Sequence, residues 1–310
     1  MKSILCIGEL LIDFIGAEAG KTISKQSSFM MKAGGAPGNV ACTIGALDGT
    51  CHFSGAVGKD GFGDFLVETL NRFNVGTETI KRSDEHTTLA FVSVDQDGER
   101  DFVFNRGADA DFSRSDIVSK TLEECQIIHF GAATGFLEGE FKKTYIKILS
   151  ESFGSDHFIS FDPNYRSAFW ATDIKGFIES ATLFIDKSDL VKLSEEEALM
   201  ISETDNLSDA SRYFKDHHTA VFAITLGSEG VRVFNRSWDV SVPAPKVKVV
   251  DTTGAGDAFI GALLYEISKS EFPDQAVQDK NRMMSYAEKA NRIASIVCTE
   301  YGALTALEKV

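Results

Sequence analysis

Short apolar runs rich in Ile, Val and Phe recur along the chain, each followed by a stretch with helical spacing. They are SILCIGEL, CHFSGAVG, CQIIHFGAA, HFISFDPN, LFIDKSDLVKLS and AVFAITLG. Continuous rather than alternating hydrophobicity marks strands buried on both faces, so this rhythm predicts a mainly parallel central sheet flanked by helices on both faces. Two segments depart from it. From Thr87 to Arg106 the pattern alternates with period two around Asp95-Gln96-Asp97-Gly98, the signature of a hairpin. From Phe14 to Lys32 the chain is polar and irregular before it reaches AGGAPGN. Both suit strands that project from the main sheet and cover its edge. A third hairpin is expected in GVRVFNRSWDVSVPAP. No proline-rich linker, low-complexity tract or internal repeat divides the chain. The expectation is one α/β domain over residues 1–310, with a small β-sheet lid from insertions at about 14–32 and 87–106.

Composition adds limits. Of 310 residues, 43% are hydrophobic and 25% charged, enough for a sizeable core. The net charge of −15 repels phosphate backbones and anionic membranes, which argues against nucleic-acid and membrane partners. It leaves room for a small nucleotide, because a helix N-terminus acts locally. Cys6, Cys42, Cys51, Cys125 and Cys298 are scattered, with no C-x-x-C pair, and read as reduced thiols in a reducing compartment. Glu9 and Asp13 interrupt the first apolar stretch, so it is no signal sequence, and no run reaches membrane-spanning length. A cytoplasmic protein is expected.

The stretch VKVVDTTGAGDAFIGALLYEIS, Val247 to Ser268, carries the chemistry. It is not a P-loop, since Gly58-Lys59 is followed by Asp60 and Phe53 stands where the first glycine belongs. It is not a dinucleotide fingerprint either, because Phe259 takes the third glycine's place. Gly254 and Gly256 let the backbone approach a ligand and point N–H groups one way. The helix that follows adds its dipole, giving a cradle for a phosphoryl group. Asp257 caps that helix, and Asp is a favoured cap. Its carboxylate can also accept a proton from a nucleophilic hydroxyl, which is sufficient chemistry for phosphoryl transfer.

These residues carry a resemblance. DTTGAGD resembles the C-terminal motif of the ribokinase-like (PfkB) sugar kinase family, and AGGAPGNVA at Ala33–Ala41 resembles its N-terminal one. GELLID, VGKDGFGDF, FDPNYRSAFW, TLGSEG and CTEYGA follow in the family's order. The resemblance implies a ribokinase-like fold and ATP-dependent phosphorylation of a sugar-like alcohol with Mg²⁺. It makes Asp257 the general base and the amides of Gly254, Ala255 and Gly256 the anion hole. Asp13, Gly34, Gly35 and Asn39 match positions that hold sugar hydroxyls. Read singly, Asp13 is a strand-end turn residue and Gly34-Gly35 a tight turn. Arg106 and Arg166 match arginines near sugar and phosphate, with Asn164 assisting. Thr225, Gly227 and Gly230 of TLGSEG resemble the loop under the nucleotide. Asn291 matches a position beside the adenine; read alone it is a solvated helix residue.

There are departures from the family pattern. Where relatives carry an Asn-x-x-Glu element for Mg²⁺, this chain reads VKLSEEEAL, with Lys192 or Ser194 at the asparagine. Glu195 or Glu197 would serve as the acid; an acidic first helical turn explains them equally well. Asp251, Thr253 and the backbone near Glu300 and Gly302 fit a K⁺ site, although Ala306 lacks a hydroxyl that some relatives supply. GGAPGN, FNRGADADF and FDPNYRSAFW look most like bacterial and plant fructokinases, implying transfer to the 6-hydroxyl of D-fructose. A 2-keto-3-deoxygluconate kinase and an aminoimidazole riboside kinase are the alternatives; ribokinase and adenosine kinase fit less well at the sugar loop. A non-catalytic sugar or nucleotide sensor is the alternative of another class, and the intact Asp257 with Gly254 and Gly256 argues against it. The strands LAFVSV and DFVFNR each expose an apolar face, and relatives often pair such lids, so a homodimer is expected.

Overall fold

Successive residues of the first strand, β1 (Ile4–Ile7), enter two different cores: Ile4 and Cys6 face one, Leu5 and Ile7 the other. All four are fully buried. A strand covered on both sides needs apolar residues at every position, and this explains the unbroken runs in the sequence.

A computed structural model describes residues 1–18, 20–94 and 100–310. The further strands are β2 (Leu11–Gly16), β3 (Phe29–Gly34), β4 (Cys51–Gly58), β5 (Gly76–Ser83), β6 (Leu89–Val94) and β7 (Arg100–Asn105). They continue with β8 (Ile127–Phe130), β9 (Phe158–Phe161), β10 (Leu190–Ser194), β11 (Val221–Thr225), β12 (Val231–Phe234) and β13 (Asp239–Val242). The helices are α1 (Ala36–Ala46), α2 (Gly61–Arg72), α3 (Ser119–Glu124), α4 (Glu140–Ser152), α5 (Ser167–Trp170) and α6 (Ile174–Ile185). After them come α7 (Glu195–Ser202), α8 (Leu207–His217), α9 (Ala255–Ser268), α10 (Pro273–Gln278) and α11 (Lys280–Val297).

The main sheet has nine strands in the order β13-β12-β11-β10-β9-β8-β1-β4-β5. It is parallel from β11 to β5; only β12 and β13 run antiparallel at one edge. Helices α1, α2, α9 and α11 cover the Ile4 side, while α4, α6, α7 and α8 cover the Leu5 side. The second core is rich in rings: Phe136, Tyr145 and Phe161 all meet Phe184 with centroids 4.9–5.1 Å apart.

A separate four-stranded sheet has the order β3-β2-β6-β7. Its outer pairs are antiparallel and its central pair, β2 with β6, is parallel. The strands therefore begin at Leu11 and end at Gly34, wider than the expected 14–32 insertion. Strands β6 and β7 pair as the expected hairpin; its Asp95–Gly98 turn lies outside the described residues. Two expectations need correction. The front of LFIDKSDLVKLS ends α6, and only Leu190–Ser194 is strand. Strand β5, GTETIKRS, is polar because it sits at an edge, so no apolar run announced it.

Candidate active site

The chain leaves β1 toward β4 and β5 and later returns on the other side of β1 as β8. Connections that part in this way open a crevice beyond the carboxyl ends of the strands. The segments after β1, β8 and β9 meet there with the first turns of α1 and α9.

At α9 the glycine turn does what its sequence suggests. Gly254 is the N-cap with φ 77°, a left-handed backbone, and a Cβ there would lie 2.3 Å from that of Ala303. Only glycine fits such a position. Asp257 is not the cap: it is the third residue of the helix and makes no capping bond. Its carboxylate accepts a hydrogen bond from Asn39 Nδ2 at 2.8 Å. The Ala255 amide donates to the Thr252 carbonyl at 3.2 Å, so the donors left to an anion begin at Gly256. Burial raises the Asp257 pKa, opposed by Asn39, Lys192 and Arg166.

Asp13 on β2 lies across Gly34: a Cβ on that glycine would come within 2.1 Å of an Asp13 carboxylate oxygen. Gly35 is the N-cap of α1 and directs Asn39, one turn later, at Asp257. Burial lifts Asp13 to about 6, with Arg166 pulling down and Asp257 pushing up. Glu9, 2% exposed, is lifted by burial to about 7. Arg166 is exposed at the rim, bonded to the Tyr165 carbonyl at 2.9 Å, and its charge reaches Glu9, Asp13 and Asp257. Arg106 is tied to Asp109 at 3.0 Å and to the Glu138 carbonyl at 3.2 Å, with Nη2 buried and unpaired.

The residues expected around the nucleotide donate to backbone carbonyls. Asn164 donates to the Gly131 carbonyl at 3.1 Å, bracing two loops, and is buried. Thr225 ends β11, donates to the Leu193 carbonyl at 3.3 Å, and leads into the Gly227–Gly230 turn. Asn291 is neither solvated nor free. It is 5% exposed, and its amide donates to the Val242 and Pro243 carbonyls at 3.0 and 3.3 Å.

The two acids expected at the Mg²⁺ region, Glu197 and Glu195, differ in their surroundings. Glu197 spends its oxygens on the Tyr165 and Ser194 amides, each at 2.7 Å, and caps α7 with Ser194. Glu195 is exposed on the first turn of the same helix. Among the described residues no group of three or more His, Cys, Asp or Glu side chains could hold a metal. Asp251, Thr253 and Gly302 do converge: Asp251 accepts from the Thr253 amide and hydroxyl at 3.0 and 2.7 Å and from the Gly302 amide at 2.9 Å.

Sequence reasoning assigned no role to Glu9, and treated Lys192 only as a departure from a motif. Lys192 pairs with Asp162 at 2.9 Å, and both are buried. Burial pulls the ammonium down, but Asp162, Glu197 and Asp257 outweigh it and hold its pKa above the ordinary value. Four of the five cysteines are buried. No helix among the described residues is long and apolar enough to cross a membrane.

With this geometry in hand, the chain can be set beside known proteins. The family model of the pfkB family carbohydrate kinases matches residues 1–310. A probable fructokinase-4 of Arabidopsis thaliana is 33% identical over 309 residues, covering 98% of this chain and 93% of that protein. The crystal structure of a sugar kinase from Pyrococcus horikoshii in complex with ATP superposes with a TM-score of 0.84 at 31% identity, covering 97% of this chain and 93% of the other. A fructokinase of Vibrio cholerae, bound to fructose, ADP and calcium ion, gives 0.85 at 28% identity, covering 99% and 96%. The chain belongs to the pfkB family of carbohydrate kinases and is an ATP-dependent sugar kinase.

Proposed function

We propose that the enzyme is a fructokinase, transferring the γ-phosphate of ATP to the 6-hydroxyl of D-fructose. The observation that carries the reading is the Asp257 carboxylate, held by Asn39 on the first turn of α9 beside the Gly254–Gly256 turn. The hydroxyl oxygen bonds to the phosphorus while its proton passes to Asp257. The bond from the phosphorus to ADP breaks, its electron pair leaving on ADP. Hydrogen bonds to Asp13 and Asn39 would orient the sugar, with Arg166 at the rim. Bound Mg²⁺ would enter with the nucleotide's phosphates and offset their charge, coordinated largely by phosphate and water.

Charge supports fructose over 2-keto-3-deoxygluconate, which is itself a carboxylate. Three carboxyl groups, Glu9, Asp13 and Asp257, lie within reach of the Arg166 charge, and Lys192 is the second cation, beside Asp257. A neutral polyol meets no repulsion there, whereas an acid would. The similarity to fructokinases points the same way. A coupled ADP-release assay with fructose, 2-keto-3-deoxygluconate, ribose, adenosine and aminoimidazole riboside tests the assignment. Fructose should give the highest kcat/KM, and a higher value for any other acceptor would overturn it.

The small sheet would act as a lid, with Asp13 on the face toward the crevice. Paired positions Met31, Phe14, Phe91 and Val103 form one row of the other face, where Met31 is 39% and Val103 49% exposed. Pairing of two such faces would give a homodimer, and sedimentation showing a monomer at micromolar concentration would refute it. A K⁺ ion held by carbonyl oxygens of the Asp251 and Gly302 loops would stiffen the same turn. Comparing activity in K⁺ and Na⁺ decides this.

A further inference from the structure

Lys192 is 8% exposed on β10 and shares with Leu190 the side of the sheet that α9 covers. Its ammonium has three donors, and Asp162 Oδ2, at 2.9 Å, takes one. Its Nζ lies 3.2 Å from the point where a Cβ on Gly256 would stand, so the ammonium sits against the middle of the glycine turn. Asp257 is close enough to feel its charge. The turn thus combines first-turn amides, a base and a buried cation, in a protein whose net charge otherwise repels phosphate.

We infer that Lys192 is a further catalytic residue, its ammonium contacting the phosphoryl group seated at the Gly254–Gly256 turn and taking up charge on that group's oxygens during transfer. No proton or electron moves at Lys192: the hydroxyl proton goes to Asp257 and the broken bond's electron pair to ADP. Asp162 is the positioning residue that holds the ammonium in place. The inference rests on the kinase activity and not on which sugar is used.

Two variants separate this role from simple neutralisation of Asp162. K192M removes the charge and leaves the carboxylate alone, while K192M/D162N replaces the whole pair with neutral groups of similar size. That double replacement is the kind of change a buried ion pair tolerates, so it keeps the test open if K192M does not fold. Both variants should lower kcat about 100-fold or more, as loss of one charge-stabilising donor does. The sugar KM should stay within about threefold of wild type. In calorimetry the preference for a non-hydrolysable ATP analogue over ADP should fall about tenfold. Recovery of kcat to within about threefold of wild type in the double variant would overturn the inference, leaving Lys192 as a partner of Asp162 only. If none of the panel sugars is turned over, the fructose assignment fails, and the ATP-analogue comparison alone decides Lys192: an unchanged preference overturns the proposal.

Discussion

Replacing Glu9 by Gln should make the protein more resistant to alkaline destabilisation. Glu9 is buried at 2% exposure; its own backbone opposes the rise by a hydrogen bond, and its other contacts are long: the Ala133 amide at 3.4 Å, and the Thr134 amide and hydroxyl at 3.5 and 3.3 Å. Burial therefore dominates and lifts its pKa from 4.5 to about 7. Because the folded value is the higher, the native state holds more protons than the unfolded chain between those limits. Stability from this group is greatest at low pH and falls as pH rises through about 7. Between pH 5 and pH 8 the loss is about 2–3 kcal/mol, at 1.36 kcal/mol per pH unit. With an unfolding entropy of about 2 cal/mol/K per residue, a chain of 310 residues loses about 4 °C in Tm. Glu9→Gln removes this contribution and leaves those of Asp13 and Asp162, each lifted to about 6 by burial, in both proteins. Scanning calorimetry of ligand-free protein across that range should show the wild-type Tm falling about 4 °C more than the variant's. Parallel curves would mean that Glu9 ionises normally and that burial does not control it.

Asp257→Asn should lower kcat at least about a hundredfold with ATP binding by calorimetry little changed, as loss of a general base does. Asn39→Asp puts a second carboxylate at a 2.8 Å contact with Asp257, so the acid limb of the kcat/KM pH profile should move up by at least about one unit. Gly254→Ala forces a Cβ onto a backbone at φ 77° and against Ala303, and should cost at least about 1–3 kcal/mol in denaturant unfolding. Asn291→Ala breaks two bonds to carbonyls and should cost about 1–3 kcal/mol while leaving the ATP KM within about threefold, which separates a brace from a nucleotide contact.

What could be read in the sequence was mostly local. A glycine turn entering a helix and apolar runs buried on two faces are written in neighbouring residues, and they gave the parallel sheet and the cradle at Gly254. Partnership was less legible. The register VKLSEEEAL does not say whether Glu197 faces a metal or its own helix; in the structure its carboxylate accepts from the Tyr165 and Ser194 amides, the second of them capping α7. Asn291 looks solvated on a helical wheel until the exit from β13 crosses it. Asp257 reads as a cap from the sequence because its place relative to the helix start depends on Gly254 reaching a left-handed backbone. Strand β5 carries no apolar run because an edge needs few apolar residues, and the tail of α6 reads as strand because a short apolar run carries no period.

The Asn39–Asp257 bond joins side chains 218 positions apart, and the turn beside it is closed by Ala303 and Gly302. No contiguous fragment of modest length contains the reacting groups. The turn at Gly254 is completed only by residues near 303, close to the other end of the chain from Asn39. Turnover is thereby a reporter that contacts across more than two hundred positions have closed.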